Sequence, residues 1–203
     1  MKPALISDWD SVLFWTDPGF NAYLLHHYGI TIPDDVPLCG YSIQSLLLDR
    51  LPAETRPTIE AFYQHVGDVY HATMLWHESA IPVEDSVEVV QELSHKYDLY
   101  VATARMTTSA QIVEGLTGIH FPNIFSGYHY VHRIIDGKIV GTPKRTFAER
   151  LQSCVGFVDD NLREIREMGD LVPSYLFDPK GFHRDVTDCT RVTSWRELAD
   201  RLL

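Results

Sequence analysis

Short apolar runs alternate with helix-like patterns from residue 81 to residue 203. Between the runs, apolar residues recur at intervals of three and four, as they do on one face of a helix. Strands that alternate with helices in this way form a parallel sheet covered by helices. The sequence therefore predicts an α/β fold. Four runs have the length and composition of buried strands: 99–103, 124–131, 155–158 and 171–177.

Local signals set several boundaries between these elements. Pro82 predicts the start of a helix that reaches about Lys96. Thr107 or Thr108 is positioned to cap the next helix, and Gly118 to end it. Asp136-Gly137 predicts a hairpin turn, and Thr142-Pro143 predicts a helix start.

The first predicted strand ends at two carboxylates. Ala4 to Ile6 is an apolar run, and Asp8 and Asp10 follow it, separated by one residue. Ligands in open α/β sheets bind outside the carboxyl ends of the strands. Two acids this close repel each other unless a divalent cation, a shared proton or solvent offsets their charge. This stretch alone is compatible with a functional pair and with an ordinary solvated turn.

The region between the first strand and the alternating part of the chain is mainly helical in pattern. We predict a helix from Asp17 to Tyr28 with Gly29 as its end, another after Ser42, and a longer one from about Arg56 to Trp76. A helical insert at this place suggests a cap over the end of the first strand. We therefore predict a core of residues 1–14 and 81–203, and a cap of residues 15–80.

Charge and composition disfavour several classes of partner. The formal net charge is −11, which argues against binding to nucleic acid or to an anionic membrane. No apolar run approaches the roughly 20 residues of a membrane span. Residues 1–3 run directly into the first strand, which leaves no room for a signal peptide. Cys39, Cys154 and Cys189 are far apart and in no metal-binding spacing, so we expect reduced thiols in a cytoplasmic protein. The sequence predicts no oligomeric state.

Three further features stand at comparable places, at strand ends or at a helix start beside them. Thr103 ends one apolar run, Lys144 opens a helix, and Asp159 and Asp160 follow another run. Each has an ordinary interpretation: a strand-end hydroxyl, a solvated lysine and a helix cap. A lysine in the first turn of a helix opposes the helix dipole, however, which favours an anion in front of it. One aspartate would suffice as a cap, so the second needs another explanation.

This set of residues, in this order, resembles the haloacid dehalogenase-like hydrolase superfamily. The first motif is matched by Asp8-Trp9-Asp10-Ser11-Val12, the second by Thr103, the third by Lys144 and the fourth by Val158-Asp159-Asp160. The helical insert lies where that superfamily carries its type 1 cap. The resemblance implies a Rossmann-like parallel sheet core with helices on both faces and a helical cap inserted after the first strand. Ser11 departs from the pattern, because that position is usually glycine; the change alters the turn but removes no catalytic group.

The resemblance implies a role for each catalytic residue. Asp8 would be the nucleophile that forms an aspartyl-phosphate. Asp10 would protonate the leaving oxygen and then take a proton from the attacking water. Thr103 would donate a hydrogen bond to the phosphoryl oxygens, and Lys144 would offset their charge. Superfamily members that cleave carbon–halogen bonds lack the second acid, so Asp10 indicates phosphoryl transfer.

The resemblance also implies Mg²⁺ as the cofactor. The ion would lie between Asp8, the backbone carbonyl of Asp10, and Asp159 or Asp160. Mg²⁺ takes oxygen ligands in octahedral geometry and keeps several waters. Its charge lets an anionic nucleophile approach an anionic phosphate.

The substrate is less constrained. The Thr103-Ala104-Arg105 turn and the paired aspartates of the fourth motif are similar to the cytosolic 5′(3′)-deoxyribonucleotidase branch, which implies a nucleoside monophosphate. Ala104 and Arg105 would then contact the substrate, and Trp9 could stack on a base. Arg105 is equally compatible with an ordinary ion pair. The aromatic residues near the first motif are equally compatible with packing of the cap against the core; they are Trp9, Phe14 and Trp15.

Three functions remain open at this point. The first is a phosphatase for a (deoxy)nucleoside monophosphate, and the second is a phosphatase for a sugar phosphate or another phosphorylated metabolite. The third is a non-catalytic regulatory domain that binds a phosphorylated ligand. In each case the partner is a small phosphorylated metabolite, with no nucleic acid or membrane involved.

Overall fold

A computed structural model describes residues 2–33, 51–135 and 138–203 of the chain. The predicted helix after Ser42 and the predicted turn residues Asp136 and Gly137 lie outside these ranges, as does Cys39. Among the residues that are described, no helix is both long enough and apolar enough to cross a membrane.

The described residues form one seven-stranded sheet and one two-stranded ribbon. The order across the large sheet is β6-β5-β4-β1-β7-β8-β9, and every pair is parallel except β5 with β6. The predicted α/β fold is confirmed. The strands are β1 (Ala4–Ser7), β2 (Phe14–Trp15), β3 (Ile81–Pro82), β4 (Asp98–Met106), β5 (Phe125–Ile135), β6 (Lys138–Gly141), β7 (Cys154–Asp159), β8 (Ser174–Phe177) and β9 (Thr190–Val192).

Strand β1 occupies the centre of the large sheet although it comes first in the chain. Ser7 pairs with Val101 of β4 on one side and with Val158 of β7 on the other. The chain passes from β1 to the β4 side, continues to β6, and only then returns to β7. A crevice opens at the strand ends where the order reverses in this way, and in open α/β sheets that crevice is the ligand site.

Helices cover both faces of the sheet, as predicted. The helices on the sheet are α3 (Ser86–Ser94), α4 (Ala110–His120), α5 (Lys144–Arg150), α6 (Leu162–Met168) and α7 (Trp195–Leu202). Two earlier helices, α1 (Asp17–Tyr28) and α2 (Ile59–His65), pack in a separate apolar cluster. Neighbouring side chains of a strand point to opposite faces. Leu5 packs in a cluster with residues of α3, α4 and α7, whereas Ile6 packs in one with residues of α5 and α6.

Three predicted helix boundaries are wrong. Thr107 and Thr108 lie in the 3₁₀-helix Thr107–Ser109, and the residue at the cap position of α4 is Ser109. Pro82 belongs to β3, which pairs with β2, and α3 begins four residues later at Ser86. Gly118 lies inside α4, which continues to His120. At Pro82 and Gly118, contacts within the fold override the local preference of proline for a helix start and of glycine for a helix end. By contrast, Gly29 ends α1 as predicted, with the left-handed φ of 67° that glycine adopts without strain.

The long helix predicted from about Arg56 to Trp76 is wrong as a single element. Helix α2 ends at His65, Val66–Tyr70 forms one turn of π-helix, and Met74–Trp76 forms a short 3₁₀-helix. The amide of His71 donates to the carbonyl of Val66 at 2.9 Å, which closes the wider π-helical turn. Such turns are frequent at functional sites.

We use the name cap region for residues 15–80. Its described apolar side chains form a cluster of their own, with Tyr23, Leu24 and Tyr70 among the buried members. The π-helical turn approaches the end of β4: a Cβ placed on Gly67 would lie only 2.5 Å from the sulfur of Met106. Glycine at this position therefore leaves room for the Met106 side chain against the turn.

Candidate active site

Asp8 lies at the carboxyl end of the central strand. Its amide donates to the carbonyl of Val158 at 2.8 Å, which continues the pairing with β7 one residue past the strand. Its Oδ1 accepts from the amide of Trp9 at 2.8 Å, and the side chain is buried. The carboxylate of Asp8 is therefore fixed at the crevice that the strand order creates.

Lys144 reaches Asp8 from the first turn of α5. The side chain is 2% exposed, and Nζ lies 3.0 Å from Asp8 Oδ1 and 2.7 Å from Asp159 Oδ2. Burial would lower the pKa of Lys144, but the charges of Asp159 and Asp8 outweigh it and raise that pKa well above its usual range. Pro143 precedes the helix, so α5 begins where the sequence predicts. The lysine that opposes the helix dipole is thus explained by the two carboxylates it contacts.

Asp159 ends β7, and Asp160 follows it. The Asp159 side chain is fully buried, and its Oδ1 accepts from the amide of Asn161 at 2.8 Å. Helix α6 is capped by Asn161, whose side chain accepts from the amide of Arg163 at 3.0 Å. The interpretation that the paired aspartates only cap this helix therefore fails, because a third residue does so.

Asp8, Asp159 and Asp160 form a compact acidic cluster. One carboxylate oxygen from each lies within 4.8 Å of the others. Burial raises the pKa of Asp8 to about 7 against the opposing charge of Lys144, and burial likewise raises the pKa of Asp159 and of Asp160. Three carboxylates are set against one ammonium group. Oxygen ligands with uncompensated negative charge are the donor set that Mg²⁺ prefers, so these residues fit a magnesium ion.

Thr103 lies beside this cluster, inside β4 rather than at its end. It stands two residues beyond Val101, which pairs with Ser7, and its side chain is fully buried. Its Oγ1 accepts from the amide of Arg105 at 3.2 Å. The strand continues three residues past Thr103, to Met106, with an irregular register against β5. That extension carries Arg105 to the other side of the crevice.

The Asp10 side chain contacts Arg105 of β4 and Thr16 of the cap region. Ser11 has a left-handed φ of 58°, and its amide donates to the carbonyl of Phe14 at 2.8 Å. The Asp10 carboxylate accepts from Nη2 and Nε of Arg105 at 2.7 and 2.9 Å, and from Oγ1 of Thr16 at 2.8 Å. Burial would raise the pKa of Asp10, but the charge and hydrogen bonds of Arg105 and the hydroxyl of Thr16 hold that pKa well below its usual range.

Arg105 is buried in contacts within the protein. It is 2% exposed, and its guanidinium carbon lies 4.7 Å from the ring centre of Trp9 and 5.2 Å from that of Tyr70. His77 lies against its third nitrogen, with ring nitrogens 3.0 and 3.3 Å from Nη1. The ion-pair interpretation of Arg105 is the one that the structure shows, since these contacts leave the side chain turned away from solvent.

The remaining predicted substrate residues lie in different surroundings. Trp9 is fully buried; its Nε1 donates to Oγ1 of Thr117 at 3.0 Å, and its ring packs against Phe14. This is the packing interpretation that the sequence left open. Ala104 is exposed, and its carbonyl accepts from His132 Nδ1 at 2.6 Å. Trp15 is half-buried and lines a small cavity beside Asp160.

Three residues on the cap side of the site carry no signal in the sequence: Thr16, Tyr70 and His77. None belongs to a motif. Tyr70 and His77 meet Arg105 through the packing of the cap region on β4, whereas Thr16 meets Asp10 across a local turn. Thr16 precedes a helix, which is an ordinary place for a threonine.

Comparisons by sequence find no relative, since no family model and no curated protein match the chain. Solved structures do match it along its whole length. A predicted phosphatase from Clostridium acetobutylicum has a TM-score of 0.67 at 17% identity, covering 100% of this chain and 98% of that one. The haloacid dehalogenase-like family protein SP0104 from Streptococcus pneumoniae has a TM-score of 0.61 at 16% identity, covering 100% and 99%. The magnesium-bound YfnB from Bacillus subtilis has a TM-score of 0.63 at 14% identity, covering 99% and 98%.

Identities this low show a shared fold, and the chemistry must be argued from the residues of this chain. The structural matches agree with the resemblance drawn from the four motifs. The chain has the fold of the haloacid dehalogenase-like hydrolases.

Proposed function

We propose that the protein is a Mg²⁺-dependent phosphatase that hydrolyses phosphomonoesters of a small metabolite through an aspartyl-phosphate. One observation carries the proposal: the buried carboxylate of Asp8 lies 3.0 Å from Lys144 Nζ and within the acidic cluster. A carboxylate nucleophile beside a fixed cation is suited to attack on an anionic phosphate. The magnesium-bound structural neighbour and the predicted phosphatase among the matches support the same class of reaction.

The first half-reaction transfers the phosphoryl group to the protein. An oxygen of Asp8 forms a bond to phosphorus while the bond from phosphorus to the ester oxygen breaks. The departing oxygen takes a proton that Asp10 delivers. Thr103 and Lys144 hold the phosphoryl oxygens by a hydrogen bond and by charge.

The second half-reaction releases phosphate. Asp10 takes a proton from a water molecule as that water attacks phosphorus, and the bond between phosphorus and Asp8 breaks. Asp8 is regenerated as a carboxylate, and Asp10 again holds the proton for the next substrate. Two carboxylates thus complete the cycle without any net change to the protein.

Asp8, Asp159, Asp160 and the backbone carbonyl of Asp10 would hold the magnesium ion. When bound, the ion supplies positive charge that offsets the nucleophile and the phosphoryl group. Burial raises the pKa of each carboxyl in the cluster. Ionising all three therefore requires a compensating cation, which supports this assignment.

A nucleoside monophosphate is our first candidate for the substrate, on the resemblance of the Thr103-Ala104-Arg105 turn. The burial of Trp9 and Arg105 removes two contacts that this candidate had invoked. A sugar phosphate or another phosphorylated metabolite is the alternative, and a non-catalytic phospho-ligand domain is the alternative from a different class. The net charge of −11 supports a small substrate over nucleic acid. We further propose a cytoplasmic location, which the free thiols of Cys154 and Cys189 support.

The test is phosphate release from a panel of nucleoside monophosphates and sugar phosphates, with Mg²⁺ and with a chelator. We expect turnover that needs the metal and that falls by about 10⁴-fold in Asp8→Asn, because the nucleophile is lost. Asp188→Asn, which removes an exposed carboxylate paired with Arg166, is the matched control and should leave turnover unchanged. The preferred substrate decides between nucleotide and sugar phosphate. Binding of phosphorylated ligands without any turnover would favour the non-catalytic domain.

A further inference from the structure

The carboxylate of Asp10 is held in one direction by donors alone. Oδ1 accepts from Arg105 Nη2 and from the hydroxyl of Thr16, and Oδ2 accepts from Arg105 Nε. Two parallel bonds from one guanidinium fix the plane of a carboxylate as well as its position. The Asp10 side chain is still 33% exposed, so it can receive a water molecule. A carboxylate that only accepts, and that faces water, is arranged to take a proton from that water.

Arg105 is itself held by the cap region. The Nε2 atom of His77 lies 2.8 Å from the carbonyl of Tyr70. A carbonyl only accepts, so the proton of the ring sits on Nε2. Nη1 of Arg105 packs against the neutral ring, 3.0 Å from Nε2 and 3.3 Å from Nδ1. The hydroxyl of Tyr70 lies 3.4 Å from Nη2. Arg105 therefore bridges the catalytic carboxylate and two residues of the cap region.

Aromatic rings enclose the guanidinium between these contacts. The rings of Trp9 and Tyr70 lie over it, and a planar cation is attracted to the faces of such rings. Tyr70 is placed there by the π-helical turn Val66–Tyr70, whose Gly67 packs against Met106 next to Arg105. The two rings and the π-helical turn therefore hold Arg105 in one orientation.

We propose that Arg105 is a positioning residue that aims the Asp10 carboxylate at the water that hydrolyses the aspartyl-phosphate, and that His77 and Tyr70 of the cap region hold it there. This inference rests on the proposed phosphatase function. It predicts a defect in the second half-reaction alone, because the first half-reaction with a good leaving group needs no proton from Asp10.

The experiment uses 4-nitrophenyl phosphate, whose leaving group departs readily without a proton. With this substrate kcat/KM reports transfer to Asp8, and kcat reports hydrolysis when that step is the slower one. Arg105→Lys and Arg105→Met should lower kcat by about 10-fold and about 100-fold, with kcat/KM unchanged within about 3-fold. A burst of one nitrophenolate per site should appear, and the phosphorylated protein should accumulate and be visible by mass spectrometry.

Two further variants separate positioning from general damage. His77→Leu leaves Arg105 charged. It should lower kcat by about 3-fold and leave kcat/KM unchanged, as the Arg105 variants do. In the background of Asp10→Asn, Arg105→Met should lower kcat by less than about 3-fold more, because residues that act through one another are not additive. Arg166→Lys, at an exposed ion pair, is the control for arginine replacement and should leave kcat unchanged.

The alternatives give different results. If Arg105 binds the phosphate or only maintains the fold, kcat/KM falls as much as kcat and no burst appears, which overturns the proposal. Thermal unfolding of each variant identifies any that does not fold. If Arg105→Met does not fold, the other two variants decide between the alternatives. Arg105→Lys keeps a cation beside Asp10, and His77→Leu leaves Arg105 in place. Failure of the proposed function is distinct, because the unchanged protein would then release no phosphate that depends on Asp8.

Discussion

The two sides of the crevice differ in how their charges are balanced. On the sheet side, Asp8, Asp159 and Asp160 share one buried cation, Lys144. On the cap side, Asp10 alone receives a guanidinium and a hydroxyl. Asp8 and Asp10 are separated by one residue, yet the pKa of Asp8 is raised to about 7, whereas that of Asp10 is held well below its usual range. Burial dominates at Asp8, whereas at Asp10 burial is outweighed by the charge and hydrogen bonds of Arg105 and the hydroxyl of Thr16.

This difference in charge balance shows which side of the site needs no added ion. The cap side is neutral overall and is built from side chains, so the Asp10 carboxylate has a fixed direction. The sheet side carries excess negative charge and needs a cation before all its carboxylates can ionise together. Four changes should alter this contrast, and we order them by the size of the expected effect.

Lys144→Met should have the largest effect on stability. It leaves the buried acidic cluster without the ammonium group, and breaking a buried ion pair costs about 3–5 kcal/mol in the free energy of unfolding. We expect that loss at pH 7 without metal, measured by urea unfolding. Lys180→Met removes a cation from the exposed pair with Asp17 and should cost less than about 1 kcal/mol. Equal losses for the two variants would contradict the burial argument.

Mg²⁺ should stabilise the protein through the sheet side. A ligand present at 100 times its dissociation constant raises the free energy of unfolding by about 2.7 kcal/mol. We expect that gain for the unchanged protein and its loss in Asp159→Asn, with Asp188→Asn as the control for removal of a carboxylate. Thermal unfolding over a range of Mg²⁺ concentrations measures it. Asp160→Asn, tested in parallel, shows whether that residue binds the ion directly.

His77→Gln should change the pH dependence of stability on the cap side. Burial, together with the charge of Arg105, lowers the pKa of His77 from 6.5 to about 4 in the folded protein. The unfolded chain therefore binds more protons between these values, and stability falls as the pH drops through this range. The unchanged protein should lose about 2 kcal/mol more than His77→Gln between pH 8 and pH 5, measured by urea unfolding. The same loss in both proteins would show that His77 does not titrate as the structure indicates.

The contribution of Asp8 to this pH dependence has the opposite sign. Its pKa in the folded protein, about 7, exceeds the usual 3.8, so the folded form binds its proton more tightly. That contribution is present at low pH and is lost as the pH rises toward 7. Asp8 is present in both the unchanged protein and the His77 variant, so its contribution cancels when their free energies of unfolding are subtracted. His26→Gln, at an exposed histidine of the same region, is the matched control.

Ser11→Gly should have the smallest effect. Ser11 turns the chain from the sheet side to the cap side with a φ of 58°, where a side chain is strained and glycine is not. Relief of that strain and the greater freedom of glycine in the unfolded chain oppose each other, so we expect a net gain below about 1 kcal/mol. A loss in the free energy of unfolding would indicate that the serine hydroxyl has a structural role.

The sheet side could be predicted from the sequence, because each of its residues follows a recognisable element. Asp8 and Asp159 follow apolar strands, and Lys144 opens a helix marked by a proline. Parallel strands bring such residues to one edge of the sheet whatever the details of packing. The order of the four motifs along the chain is a second signal that these residues form one site.

The cap side could not be predicted in the same way. The contact between Asp10 and Arg105 depends on β4 continuing past Thr103, and no residue there marks the end of the strand. Tyr70 is placed by a π-helical turn, and His77 follows the 3₁₀-helix Met74–Trp76. Apolar residues at helical spacing reveal neither interruption of the predicted helix. Local sequence preferences do not show which side chains from distant parts of the chain will contact each other in the fold.

The central position of β1 has a consequence for how the protein is made. The strand that precedes Asp8 is synthesised long before β7, which pairs with one of its edges and ends only at Asp159. Domains with contacts so distant along the chain fold slowly, because long loops must close first. Until β7 arrives, one edge of the central strand has no partner from this sheet, and such an edge can pair with other chains. All the residues between Ser7 and Cys154 must be synthesised before the nucleophile has both of its neighbours.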